Sequence, residues 1–196
     1  MERPVSSQEA RESLLAVDQV TTRTRRAVAS HASADLLVLW GSIWAAAYVA
    51  TQMSLGKPQY INAIWFVLCS LGGVVSLVLG LRYWRAGTPT RQPKLGRRIF
   101  AFWFLLGVFV TIWVFISRPR SGIQLNAFLV TALMFAYMVT GLWTGGAYMV
   151  WLGLAVTFAT LIGYFLMPPA YYCLWMAGTG GGGLLGTGLY LRLRWR

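Results

Sequence analysis

Tyr171-Tyr172-Cys173-Leu174-Trp175-Met176-Ala177 leads into Gly178-Thr179-Gly180-Gly181-Gly182-Gly183, and Leu184 to Leu191 follow before Arg192 and Arg194 close the segment. In a soluble protein such a glycine run marks a loop. Here it lies inside an uncharged apolar segment, Tyr171 to Leu191. That is long enough to cross a bilayer, which takes about 20 residues at about 1.5 Å rise per residue. Gly178, Gly182 and Gly186 recur every fourth residue and predict one helix face on which a second backbone approaches closely. The alternative for the same run is local unwinding, since each glycine costs about 1 kcal/mol relative to alanine in a helix. Transporters use such discontinuous helices to offer backbone groups to a substrate.

The rest of the 196-residue chain repeats the theme. It is 57% hydrophobic and 15% aromatic, with 11% charged residues, against about 25% charged in soluble domains. Five further apolar stretches precede the glycine-rich one, so the expected fold is an all-α integral membrane protein with six transmembrane helices. The predicted spans are 36–55, 61–81, 99–116, 123–142, 147–167 and 171–191. Residues 34–196 form the membrane domain and residues 1–33 a polar arm. In the arm, Ser6 and Glu9 have capping-box spacing. Ala10, Leu14, Val17 and Val28 share one face, which reads as an amphipathic cytoplasmic surface helix; the alternatives are a frayed arm or a docking segment. Pro89, Pro93 and Gly96 argue against a long helix in the linker Arg82–Arg98.

The net charge of +12 would indicate nucleic acid in a soluble domain, but in a membrane protein it reports topology. The arm carries five Lys and Arg residues, the linker six and the C-terminus three; the other side has Lys57, Arg118 and Arg120. This bias puts both termini in the cytoplasm, as an even number of spans requires, and the size and arginine usage fit a bacterial inner membrane. Arg23, Arg25, Arg26, Arg82, Arg85, Arg97, Arg98, Arg192 and Arg194 are expected to face anionic lipid headgroups. Nucleic acid is not an expected partner; a homo-oligomer or a larger membrane complex is.

Spans two and six align without gaps at an offset of 110, pairing Trp65 with Trp175, Gly72-Gly73 with Gly182-Gly183, and Arg82 with Arg192. Span four fits span two at an offset of 64, pairing Asn62 with Asn126 and the row Gly72, Ser76, Gly80 with Ala136, Thr140, Thr144. Repeated segments of this kind read as three helical hairpins of like orientation. Gly72, Gly73, Ser76, Gly80, Ala136, Thr140, Gly178, Gly182 and Gly186 are therefore expected either to pack the even helices at the inside or a subunit contact, or to line a solute site. Phe100, Phe102, Phe104, Phe109 and Phe115 are expected to face lipid.

No ionisable residue of the Asp, Glu, Lys, Arg or His types falls within the six spans, and the last carboxylate is Asp35. Ionisable groups inside a membrane are expensive and mark function; without them, ion coupling, intramembrane proteolysis and haem ligation lack their usual groups. The glycine run lacks the Lys and Ser/Thr of a phosphate loop. Two cysteines, Cys69 and Cys173, do not make a metal site. The expectation is a non-enzymatic protein with no cofactor and no metal. It handles a small neutral or apolar solute, or else serves as an accessory subunit whose arm and linker bind a partner or anionic lipid. Asn62 and Asn126, near the outer ends, either cap helices or rim a polar pocket. The size, the six spans and the Ala46/Ala50 pair resemble the substrate-binding subunits of energy-coupling-factor vitamin transporters. The resemblance implies docking to a coupling subunit through the first helix; the long arm and the basic linker depart from it.

Overall fold

A computed structural model describes residues 32–85 and 93–194 together with Ser13; for residues 84, 85, 93 and 94 it describes the backbone alone. The arm predicted at 1–33 lies almost wholly outside the described residues, as do the middle of the basic linker and the side chains of Arg23, Arg25, Arg26 and Arg85. The described chain is helical throughout, without strands: α1 (Ala32–Met53), α2 (Ile61–Arg85), α3 (Pro93–Ser117), α4 (Gly122–Thr144), α5 (Ala147–Leu166), α6 (Tyr172–Met176) and α7 (Gly182–Arg194), with a 3₁₀ turn at Pro58–Tyr60. Five helices, α1 to α5, are long and apolar enough to cross a membrane.

The chain punctuation sets these limits. Pro58 opens the turn into α2. Ser121 caps α4 by accepting from the Gln124 N–H at 3.1 Å. Gly145 ends α4 in the left-handed region at φ 74°, where a glycine costs least, and makes a tight hairpin into α5. Both described ends of the basic linker are helical, and its middle lies outside the described residues. α2 continues to Arg85 and α3 already starts at Pro93, because a proline at the first helical position loses no intrahelical hydrogen bond and opens a helix instead of breaking it.

The sixth stretch is not one continuous α-helix. Between α6 and α7, Ala177–Gly181 winds as a π-turn. The glycine run neither packs as a straight α-helix nor unwinds. Glycines tolerate the wider turn, and π-turns shift the phase of every residue that follows.

That phase decides the packing. The core is built from α1, α4, α5 and the α6–α7 segment, and includes Leu37, Tyr48, Met134, Val156, Tyr172, Met176 and Leu184. α1 and α7 touch backbone to backbone. A Cβ on Gly41 would fall on the Leu185 backbone, one on Gly181 would lie 2.6 Å from the Ala45 nitrogen, and one on Gly188 would lie 2.8 Å from the Val38 nitrogen. Gly153 meets Met134 and Met138 across the α4–α5 hairpin, and Gly163 meets Trp175. The expected row is displaced. Gly178 and Gly186 have open space where a side chain would stand, and Gly182 meets only the Ala177 carbonyl of its own segment. The row that meets α1 is Gly181 and Gly188, two α-turns apart.

Of the two placements expected for the even helices, inside or at a subunit contact, α2 does not take the first. It lies at the periphery, with 6% of its most apolar window buried, and α3 has none buried. Gly72 seats the Trp40 and Ile43 side chains, but Gly73 and Gly80 face open space. Ala136 and Thr140 of α4 are buried. Phe100, Phe104, Phe109 and Phe115 are exposed, whereas Phe102 is half-buried and meets the exposed Trp143 edge-on, ring centroids 5.2 Å apart. Positions paired by the internal alignment have unlike surroundings: Gly72 is covered by α1 side chains and its counterpart Gly182 is not.

Gly181→Leu and Gly188→Leu are expected to lower the aggregation temperature in detergent by roughly 5–10 °C, as overpacking of a fixed contact costs about 1–3 kcal/mol. Gly178→Leu is expected to shift it by less than about 2 °C. Equal losses for all three in a thermal size-exclusion assay would contradict the assigned face.

Candidate functional site

The C-terminal end of α1 and the N-terminal ends of α2, α4 and α6 meet at one end of the bundle, and the most concentrated internal polar groups lie there. Asn126, near the start of α4, is the centre. Its Oδ1 accepts the Tyr48 hydroxyl at 3.0 Å and the Tyr172 hydroxyl at 2.9 Å. Both tyrosines are 2% exposed, so each hydroxyl depends on this partner; a buried polar group without one is costly. One helix turn along α1, the Thr51 hydroxyl donates to the Ala47 carbonyl at 2.8 Å and accepts the Trp65 indole N–H at 3.0 Å. The Tyr48 ring meets Trp65 edge-on at 5.0 Å and Trp44 at 6.3 Å. Gln52 donates its Nε2 to the Ala170 carbonyl at 2.8 Å; its Oε1 is buried with no partner.

This cluster fastens helices: Asn126 ties α4 to α1 and α6, and Trp65 ties α2 to α1. It holds hydroxyl, amide and indole groups, with no carboxylate, imidazole or amine among them. Of the two asparagines expected at a polar rim, Asn126 is the hub, while Asn62 is exposed. Cys69 and Cys173 are free and half-buried. Among the described residues no group of His, Cys, Asp and Glu is placed to hold a metal.

Three of the other expected site residues, Ser76, Ala136 and Thr140, take part in a second pattern that the sequence reading missed. Trp40 of α1 donates its indole N–H to Ser76 Oγ of α2 at 3.1 Å. Trp103 of α3 donates to Thr140 Oγ1 of α4 at 3.2 Å, and that hydroxyl donates to the Ala136 carbonyl at 2.8 Å. Trp175 donates to the Ala159 carbonyl of α5 at 2.7 Å. Ser76 and Thr140 are thus acceptors for tryptophans. The signal available in the sequence was a tryptophan on one span with a Ser or Thr at matching depth on the next. On α3, Trp103, Phe104, Gly107, Val108, Thr111 and Ile112 border a shallow depression of about 510 Å³.

At the opposite end, Arg82, Arg97, Arg98, Arg192 and Arg194 are exposed. Ala46, expected on a docking face of the first helix, is exposed, and Ala50 is half-buried.

The fold and its apolar helices define a helical membrane-spanning protein. Compared with known protein families, curated proteins and solved structures, the chain matches none, and the resemblance to vitamin-transporter subunits finds no support there.

Asn126→Ala leaves two buried hydroxyls without an acceptor. It is expected to destabilise the bundle by about 1–2 kcal/mol, since single interhelical bonds in membranes contribute up to about 1.7 kcal/mol. Asn62→Ala is expected to leave stability within about 0.5 kcal/mol of the parent. Reversible unfolding in mixed micelles measures both; equal stability of Asn126→Ala and the parent would contradict the hub.

Proposed function

We propose that the chain is a non-enzymatic accessory subunit of a membrane assembly, with the α6–α7 segment as its sixth crossing. The observation that carries this reading is the exposure of α2 and α3. Both are 25-residue helices attached to the core along one side only. In lipid the apolar effect does not drive helices together, and close approach of small residues does. Gly73 and Gly80 on α2 and Gly107 on α3 have nothing within 4 Å of an added Cβ, so each offers backbone to a helix from another chain. This is the subunit-contact role for the glycines that do not pack within the bundle. The core glycines, by contrast, are already filled by α1, α4 and α5, and the polar hub is occupied by its own tyrosines. Both features favour a solid scaffold over a bundle that binds a neutral solute.

The positive-inside bias orients the assembly, with both termini, the basic linker and the arginine-rich helix ends in the cytoplasm, on the side of anionic lipid. The membrane domain at 34–196, the arm at 1–33 and a bacterial inner membrane belong to the same proposal, as do three like-oriented hairpins.

The test is photo-crosslinking in native membranes with benzoylphenylalanine at Gly73, at Gly107 and at Phe165, which is 72% exposed on α5. One protein in stoichiometric amount, identified by mass spectrometry and shared by the first two positions but not by Phe165, is the expected result. Lipid adducts alone at all three, or purified protein that makes liposomes permeable to a small neutral solute, would contradict the proposal.

A further inference from the structure

At the arginine-rich end, α1, α2 and α7 converge on Asp35, the only carboxylate among the described residues. The Tyr83 hydroxyl of α2 donates to Asp35 Oδ2 at 2.6 Å. Arg192 of α7 approaches Oδ1 through Nε at 3.9 Å, with its side chain 50% exposed. That is the outer limit of an ion pair and leaves the terminal guanidinium nitrogens without a carboxylate among the described residues. Arg82 precedes Tyr83 on α2 and is exposed. Arg194, one turn from Tyr190, donates to its hydroxyl at 2.9 Å and lies over its ring. The corner therefore holds Arg82, Arg192 and Arg194 against one carboxylate, which is itself engaged on both oxygens. On the same helix ends, Val78 and Leu81 of α2 and Leu189 and Leu193 of α7 are exposed.

We propose that this corner binds one anionic phospholipid, its phosphate between Arg82 and Arg192 and its acyl chains along the exposed leucines. The guanidinium fork matches a phosphate diester by paired hydrogen bonds. Asp35 orients Arg192 from behind and, being hydrogen-bonded by Tyr83, does not turn toward the phosphate. The apolar residues directly beneath select a lipid over free phosphate. The inference rests on the chain lying in a bilayer and is independent of any protein partner.

Native mass spectrometry of the purified full chain, mixed with dioleoyl-phosphatidylglycerol or dioleoyl-phosphatidylcholine, tests it. One phosphatidylglycerol is expected to stay bound where phosphatidylcholine is lost, and millimolar inorganic phosphate is expected not to displace it. Arg82→Gln or Arg192→Gln should weaken retention about fivefold and the pair about 30-fold, the scale of one and two basic residues at an anionic surface. Arg192→Lys, which keeps the charge and loses the fork, should fall between the parent and Arg192→Gln, and the opposite-end pair Arg118→Gln/Arg120→Gln should change nothing. Arg82 makes no contact with Asp35 in the structure, so Arg82→Gln decides the matter if the Arg192 variants fail to fold. Equal retention of both lipids, phosphatidylglycerol binding unchanged by Arg82→Gln, or an equal loss in the opposite-end pair would overturn the proposal.

Discussion

Everything in this bundle depends on a contact with no side chain in it. α1 and α7 lie backbone against backbone where Gly41 meets Leu185, Gly181 meets Ala45 and Gly188 meets Val38. In water, apolar burial would draw helices together whatever their surface. In lipid, tails solvate leucine as well as a neighbouring helix does, so close packing must supply the attraction. Dispersion is short-ranged, and a gap of 0.5–1 Å already forfeits a quarter to a half of it. A glycine pair removes that gap. The π-turn at Ala177–Gly181 brings both Gly181 and Gly188 onto the face that α1 covers, and its glycines accept that geometry at low steric cost.

Around this contact the other helices attach by directed bonds. Trp40 and Trp65 tie α2 to α1, Trp103 ties α3 to α4, and Trp175 ties the glycine segment to α5. An indole has one donor and a large apolar ring, so it fixes depth and angle while remaining compatible with lipid. Asn126 performs the converse task, one acceptor serving Tyr48 and Tyr172. The result is a dense centre with α2 and α3 hanging from it by one face each. That asymmetry is the physical basis for reading the chain as part of a larger assembly.

Much of this was legible from residues alone. Uncharged stretches of about 20 residues located α1 to α5, with α3 starting at Pro93, ahead of its predicted span, and the phenylalanines of α3 pointed to a helix with an exposed apolar surface. The polar character of Asn126 at a helix end was also visible. The true packing row was not. Sequence periodicity assumed 100° per residue through the glycine run, and a π-turn breaks that phase without leaving a distinctive residue. Gly41-Ser42-Ile43-Trp44-Ala45 contains the small-residue spacing that marks the facing helix, but a pair of that kind recurs in many membrane helices and gains meaning only with its partner. The site at Asp35 was hidden for a different reason: an isolated carboxylate at a span boundary becomes informative only when Tyr83 and Arg192 are brought beside it from distant positions.

The most direct measurement is cysteine pairing across the α1–α7 contact. In membranes containing Cys69→Ala/Cys173→Ala chain, Ala45→Cys with Gly181→Cys should form an intramolecular disulfide on mild oxidation: a Cβ at 181 would lie 2.9 Å from the Ala45 Cβ and 2.6 Å from its backbone nitrogen, so the two helices need to part by only about 1 Å to reach the Cβ separation of a disulfide. Ala45→Cys with Gly178→Cys should not. Pairing at 178 with none at 181 would show that the glycine segment turns another face to α1, and the packing described here would be wrong.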